Sequence, residues 1–149
     1  MSTYTEEVQT KLNNILEKTY DAEKGFKKAA DHARSTDLKT FFRNKGEERY
    51  NFGHELKTEM VRFGQEIDKG GSATGAMHRS WMDVKAWFSG DNDESMLEEA
   101  ITGEKAAIDE YKEVLNDTSL PTSTATLLTQ QMNKISTDLA NIKSLESVL

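Results

Sequence analysis

The chain of 149 residues contains no cysteine and a single proline, Pro121. Without cysteine there are no disulfides, thiolate metal sites or cysteine nucleophiles. Glu-x-x-His is missing too, because alanine, asparagine and glycine stand three residues before His32, His54 and His78. A carboxylate and an imidazole at that spacing can bind one metal ion from one helix face. The three histidines are therefore interpreted as structural or surface residues.

Long apolar runs and an excess of basic residues are also lacking. No segment approaches the roughly 20 apolar residues that a membrane-spanning helix needs, and the N-terminal region has no signal-like apolar stretch. With 26 acidic and 19 basic residues the formal charge is −7. That charge disfavours nucleic acid and anionic membranes as partners. We expect a cytoplasmic protein that binds neither.

Four segments carry apolar residues at alternating intervals of four and three, which is typical of helices with one buried face. The predicted buried stripes are Val8, Leu12, Ile15, Thr19, Ala22, Phe26, Ala29 and Ala33; Leu38, Phe42, Lys45, Arg49, Phe52, Leu56, Glu59 and Phe63; Leu97, Ile101, Glu104, Ile108, Tyr111 and Leu115; and Leu128, Met132, Ile135, Leu139, Ile142 and Leu149.

Helix boundaries follow from capping residues and helix breakers. The expected signals are a Thr3-x-x-Glu6 capping box, Ser35 or Thr36 as the second cap, Gly64 after the second helix, Asp91 or Asp93 before the third, and Pro121 before the fourth.

The connections predict how the helices are arranged. Short links join the first two helices and the last two, so each pair should be an antiparallel hairpin. A long crossover, about residues 65–92, joins the hairpins and carries a short helical segment. The sequence thus predicts an all-α, ferritin-like, up-down four-helix bundle forming a single domain over residues 1–149.

Several motifs resemble known families. Gly103-Glu104-x-x-Ala107-x-x-x-Tyr111 resembles a helix of rubrerythrin and ferritin-like proteins. Most of the chain resembles a bacterial family of uncharacterised, stress-associated four-helix-bundle proteins, a domain of unknown function. The segments that carry this likeness are LNNILEKTYDAEKGFKKAA, GAMHRSWMDVKAW and GEKAAIDEYKEVL. The resemblance implies the bundle fold and an association with stress responses.

The resemblance also shows which metal ligands this chain lacks. Glu104 matches a metal-binding glutamate of rubrerythrin-like proteins, whereas Thr19 is its counterpart in the first helix. The Glu-x-x-His of the second helix falls on Arg49-x-x-Phe52. At comparable depth the last helix offers Gln131, Ile135 or Asp138. One retained ligand cannot hold a di-iron centre, so no metal or other cofactor is expected.

A buried polar pair is predicted in place of the metal. Glu104 lies on an apolar stripe, where a lone carboxylate would be costly, and Arg49 lies on the facing stripe. The alternative is an atypical site for iron or another divalent ion formed by Glu23, Glu104 and acidic neighbours. For Glu23, a surface pair with Lys27 four residues on is the simpler interpretation.

Apolar residues are concentrated in the crossover at Met77, Trp81, Trp87 and Phe88. We expect them to pack on one flank of the bundle, or to form an interface. No catalytic residue is recognisable. The predicted function is non-enzymatic and acts through self-association, as a dimer, or through an unknown protein partner. Competing hypotheses are metal binding and a small apolar ligand held between the crossover and the bundle.

Overall fold

A computed structural model of the chain describes residues 4–64 and 93–146. All regular structure in these ranges is helical, which confirms the all-α prediction. The helices are α1 (Glu6–His32), α2 (Thr36–Arg62), α3 (Asp93–Leu115) and α4 (Thr122–Glu146). The predicted crossover, its residues Met77, Trp81, Trp87 and Phe88, and the alternative cap Asp91 lie outside the described residues. No helix in the described ranges is long and apolar enough to cross a membrane.

The helix ends follow local capping chemistry. The prediction that the first helix starts at Thr3 is wrong, because the hydroxyl of Thr5 accepts a hydrogen bond from the Val8 N–H and the helix begins after it. Ser35, one of the two predicted caps, begins α2 in the same way. Gly64 follows α2 with φ of 80°, the left-handed conformation that glycine adopts without a steric penalty.

Helices α1 and α2 approach closely along a face that contains two glycines. A Cβ atom on Gly53 would lie 2.8 Å from Cε1 of Tyr20, and one on Gly46 would lie 2.9 Å from Cγ of Lys27. Gly46 and Gly53 are seven residues apart, and so are Tyr20 and Lys27. Gly53 faces Tyr20, whereas Gly46 faces Lys27. The two helices therefore run antiparallel, and large side chains of α1 lie opposite the glycines of α2.

Polar contacts join the helix pairs at one end of the molecule. The buried carboxylate of Glu59 accepts hydrogen bonds of 2.7 Å from the hydroxyls of Ser123 and Thr124 at the start of α4. The hydroxyl of Tyr4, ahead of α1, is 2.9 Å from that of Thr124. The ring of Tyr4 stacks on Phe63 with centroids 4.7 Å apart, so the end of α2 lies over the start of α1.

Asp93 joins the helices at the other end. Its carboxylate accepts hydrogen bonds of 2.8 Å from the backbone N–H groups of Arg34 and Ser35, in the turn between α1 and α2. The first residue of α3 is thereby held next to the end of α1 and the start of α2.

The apolar interior is divided into two clusters. Every predicted stripe residue in the described ranges is buried or half-buried. The first cluster includes Val8, Leu12, Ile15, Phe52, Leu56, Met60, Tyr111, Val114, Leu128 and Ile135. The second includes Phe26, Ala29, Leu38, Phe42, Met96, Leu97, Ala100 and Ile142. Buried charged residues lie between them.

The close contact of α1 with α2 generates a stability prediction for Gly53→Ala. Overpacking against the Tyr20 ring costs roughly 1–3 kcal/mol, and helix propensity returns up to about 1 kcal/mol. We expect a net loss of about 1–2 kcal/mol in the free energy of unfolding, measured by urea denaturation. Gly103→Ala, at an exposed position in α3, is the matched control and should gain about 0.5–1 kcal/mol. Equal gains for both variants would contradict the close approach.

Candidate functional site

Lys45 forms the centre of the polar layer between the two apolar clusters. Its side chain is 3% exposed, and its Nζ atom lies 2.5 Å from Oε2 of Glu48, 2.6 Å from Oδ2 of Asp138 and 2.9 Å from Oε2 of Glu104. An ammonium group has three N–H donors to offer. One lysine thus joins carboxylates from α2, α3 and α4.

Arg49, one turn further along α2, provides the second buried cation. Its Nη2 atom donates to Oε1 of Glu104, and its Nη1 atom lies 3.4 Å from Oε2 of Glu48. The guanidinium also lies over the rings of Phe26 and Phe52, 5.6 and 5.7 Å from their centroids. Both oxygens of the Glu104 carboxylate therefore face a cation of α2.

Lys134 of α4 closes the group on its solvent side. Its Nζ atom lies 3.2 Å from Oδ1 of Asp138 and 3.5 Å from Oε1 of Glu48. The Lys134 side chain is 56% exposed, so this edge of the group reaches water. We call the six residues the ion-pair cluster: Lys45, Glu48, Arg49, Glu104, Lys134 and Asp138.

Two carboxyl groups of the cluster share a hydrogen bond. Burial, followed by the hydrogen bond with Asp138, raises the pKa of Glu48, while Lys45 opposes the shift. Burial alone would raise the pKa of Asp138 as well, but the hydrogen bonds with Glu48 and Lys45 outweigh it and lower that pKa. The opposite shifts mean that Glu48 binds a proton more readily than Asp138 does.

A neutral hydrogen-bond chain lies beside the cluster. The hydroxyl of Tyr111 donates to Oε1 of Gln131 at 2.6 Å, and the Gln131 amide donates to the backbone carbonyl of Phe52 at 3.2 Å. Burial raises the pKa of Tyr111 to about 12, with Arg49 opposing the shift. The hydroxyl consequently stays protonated at neutral pH and satisfies an otherwise costly buried amide.

A cleft of about 320 Å³ opens between α1 and α3 next to the cluster. The side chains that line it on the two helices are mainly small or apolar, and they include Ile15, Ala22, Phe26, Ala100, Gly103 and Ala107. Thr19, Arg49, Glu104 and Tyr111 provide polar groups in the same cleft. A mostly apolar cavity with a few polar groups is the common form of a ligand or docking site.

The structure brings some of the predicted site residues together and separates others. Arg49 and Glu104 are in contact, as described. Glu23 instead pairs with Lys27, with Oε2 2.7 Å from Nζ, and it does not line the cleft that contains Glu104. His32 bonds the carbonyl of Lys28, and His54 bonds the hydroxyl of Tyr50, each at 2.9 Å.

Sequence reasoning missed most of the cluster. The stripe of α2 predicts that Lys45 is buried but identifies no partner for it, and only its depth in α4 singles out Asp138. Glu48 and Lys134 lie off the stripes, so periodicity does not identify them. The available signal was a charged residue on an apolar stripe, because a buried ammonium requires carboxylates nearby.

The helices and the cluster define an all-helical protein with an ionic centre. The chain belongs to the family described as "Domain of unknown function (DUF2383)", whose model matches residues 7–117. No curated protein and no solved structure matches it.

The residues of this centre do not fit the di-iron site that the ferritin-like resemblance implies. Lys45 and Arg49 contact both oxygens of Glu104, so cations stand where a metal would have to bind. Within residues 4–64 and 93–146, no three histidine, aspartate or glutamate side chains are grouped so as to hold a metal ion. A metal would also have to displace charge-assisted hydrogen bonds that are already formed.

The buried pair generates a prediction for Arg49→Met, Glu104→Leu and the double variant. Each single change should cost about 3–5 kcal/mol of unfolding free energy, because it leaves a buried charge poorly compensated. The double variant should cost clearly less than the sum, since neither charge remains. Urea denaturation of all four proteins measures the coupling.

The exposed pair of Lys18 and Glu110 at the cleft is the control for this cycle. Lys18→Met with Glu110→Leu should show a coupling below about 1 kcal/mol. Strict additivity of Arg49→Met and Glu104→Leu would contradict a buried pair.

The raised pKa of Glu48 generates a pH prediction. The folded-state pKa of Glu48 is raised above 4.5, so the folded protein binds a proton more tightly than the unfolded chain. The contribution of this tighter proton binding to the free energy of unfolding is fully present below pH 4.5. It is lost as the pH rises through the folded-state pKa of Glu48. Glu48→Gln keeps a neutral donor and does not titrate. We expect the stability of the native protein to fall relative to Glu48→Gln over this window, measured by urea denaturation at a series of pH values.

Glu47→Gln, at the exposed neighbouring position, makes the same change in charge without the buried contacts. Its stability should parallel that of the native protein across the window. The lowered pKa of Asp138 acts in the opposite sense and at lower pH, because its stabilisation is lost only as pH falls below 3.8. Parallel curves for Glu48→Gln and the native protein would contradict the raised pKa of Glu48.

Proposed function

We propose that this chain is a non-enzymatic bundle protein that acts through self-association, as a homodimer, or through a protein partner. In this proposal it is a ferritin-like, up-down bundle whose metal centre has been replaced by the ion-pair cluster. The antiparallel contact of α1 with α2 and the join of Asp93 to the turn between them support that topology. The bacterial, cytoplasmic and stress-associated character rests on the sequence resemblance and composition.

The single observation that carries the proposal is that two buried cations, Lys45 and Arg49, lie against the carboxylate of Glu104. Arg49 donates to Oε1, and the ammonium of Lys45 forms an ion pair with Oε2 at 2.9 Å, although Oε2 accepts no hydrogen bond from the described residues. The side chains of Arg49 and Lys45 are 4% and 3% exposed. A general acid or a metal ligand needs an oxygen free for substrate or ion. A carboxylate paired on both oxygens acts as a structural element instead.

The outer face of α2 supports self-association. Tyr50 and Val61 are the two large apolar side chains that are strongly exposed among the described residues, at 48% and 55%. Eleven residues is close to three helical turns, so the two side chains lie on one stripe with His54 and Lys57 between them. Aromatic residues on an otherwise polar face are typical of interface centres.

Native mass spectrometry of untagged protein tests both halves of the proposal. After exposure to ferrous iron and zinc and desalting, we expect less than about a tenth of an ion per chain, because the ligand set is incomplete. We also expect a dimer whose fraction rises with protein concentration, and Tyr50→Lys with Val61→Lys should shift it to monomer by placing four like charges in the interface.

Ser136→Lys with Ala140→Lys, at exposed positions of α4, adds the same two charges per chain away from this stripe and should leave the dimer intact. One or two tightly held ions per chain would support the metal-binding alternative with Glu23 and Glu104. A monomer at every concentration would contradict self-association and leave only the protein partner.

A further inference from the structure

The cleft between α1 and α3 has the size of a site for a small ligand. Its volume of about 320 Å³ is near the lower end of the roughly 300–1,000 Å³ that ligand sites in proteins occupy. Ala22, Ala100 and Ala107 carry single methyl groups on its walls, and Gly103 has no side chain. A mostly apolar molecule gains dispersion contacts by entering such a space. The volume therefore suits a molecule of one or two rings.

Aromatic and aliphatic side chains form the deeper walls of the cleft. Phe26 and Ile15 of α1 and Tyr111 of α3 line it, and all three are buried. Aromatic rings attract other rings in offset-stacked or edge-to-face arrangements. The buried walls therefore favour a flat aromatic ligand over a sugar or another strongly polar molecule.

Thr19 provides the cleft with a hydrogen-bond acceptor. This buried side chain lines the cleft, and its hydroxyl donates to the backbone carbonyl of Ile15 at 2.7 Å. A hydroxyl has one hydrogen to donate but two lone pairs, so Oγ1 can still accept a hydrogen bond. The hydroxyl of Tyr111, on the same cleft, likewise donates its hydrogen to Gln131. These two hydroxyls consequently suit a ligand that carries an N–H or O–H group.

The charges along the cleft disfavour an anionic ligand. Two basic residues line it, Lys18 and Arg49, and three acidic ones, Asp21, Glu104 and Glu110. Both basic side chains already contact carboxylates, since Arg49 donates to Glu104 and Lys18 pairs with Glu110. An anion would meet an excess of negative charge and would have to compete with these pairs. A neutral or cationic ligand meets neither obstacle.

We propose that the cleft between α1 and α3 binds a small aromatic molecule of one or two rings that carries an N–H or O–H donor and no negative charge. Its ring packs among Ala22, Phe26 and Ala107, and its donor group binds Oγ1 of Thr19. The inference goes beyond the self-association proposal and does not depend on it, because the exposed stripe of α2 does not line this cleft.

Isothermal titration calorimetry of the full chain with indole tests the inference. The matched probes are N-methylindole, which lacks the N–H donor, and the indolecarboxylate anion. We expect one indole to bind per chain. N-methylindole should bind about fivefold more weakly, the effect of one missing hydrogen bond, and the anion should bind more weakly than either.

Two variants locate the bound indole. Thr19→Val removes the acceptor and keeps the branched shape, so it should weaken indole binding about fivefold and leave N-methylindole binding unchanged. Ala107→Leu fills the cleft and should abolish the binding of both probes. Ala140→Leu, at an exposed position of α4, is the matched control and should bind indole as the native protein does.

Far-UV circular dichroism establishes that each variant remains helical, and Thr19→Val carries the test if Ala107→Leu does not fold. Absence of indole binding at millimolar concentration overturns the inference. Indole binding that neither Thr19→Val nor Ala107→Leu changes also overturns it, as does equal affinity for indole and the anion. A chain that is monomeric in native mass spectrometry would contradict self-association alone, so the two proposals fail separately.

Discussion

The carboxylate of Glu104 is the constraint around which the described structure is organised. It is 1% exposed, and an isolated ionised carboxylate at such a depth would be prohibitively costly. Lys45 and Arg49 remove that cost only if α2 and α3 keep one register, since both cations must reach the same residue. Lys45 in turn requires Asp138 of α4, and the two cations lie over the ring of Phe26 of α1. A single buried charge thus involves all four helices.

The ion-pair cluster is better understood as a determinant of specificity than of stability. Desolvating several charges offsets most of their mutual attraction, so well-packed apolar residues could stabilise the same interior equally well. Apolar residues could not, however, distinguish one register of the helices from another. If the two apolar clusters were joined into one continuous core, a shift of a helix by one turn would be tolerated. A layer of matched charges between the clusters penalises every shift that separates Lys45 from Glu104. The exposed edge at Lys134 lets water relieve part of the desolvation cost.

Periodicity predicted the helices well because it reports a local property, the direction in which side chains leave a helix. The same stripes predicted that Arg49 and Glu104 lie in the interior, and the lack of other partners suggested their contact. Periodicity could not predict Glu48 and Lys134, which lie off the stripes and join the cluster only through the packing of α2 on α4. The sequence predicted the cap of α1 at Thr3 instead of Thr5 because both residues have a hydroxyl group. The contacts of Tyr4 with other helices favour Thr5. The cleft was equally invisible, since a run of small residues has the same periodicity whether it is tightly packed or open.

The position of the cleft follows from how the charge of Glu104 is balanced. Both cations that contact Glu104 come from α2, and Thr19 of α1 lines the cleft on which Glu104 borders. Thr19 uses its hydroxyl on its own helix, donating to the carbonyl of Ile15 at 2.7 Å. The side chains at position 19 and at Ala22, Ala100 and Ala107 are short, and they line the cleft between α1 and α3. Because both cations belong to one helix, the cleft can border on Glu104 without separating it from its partners.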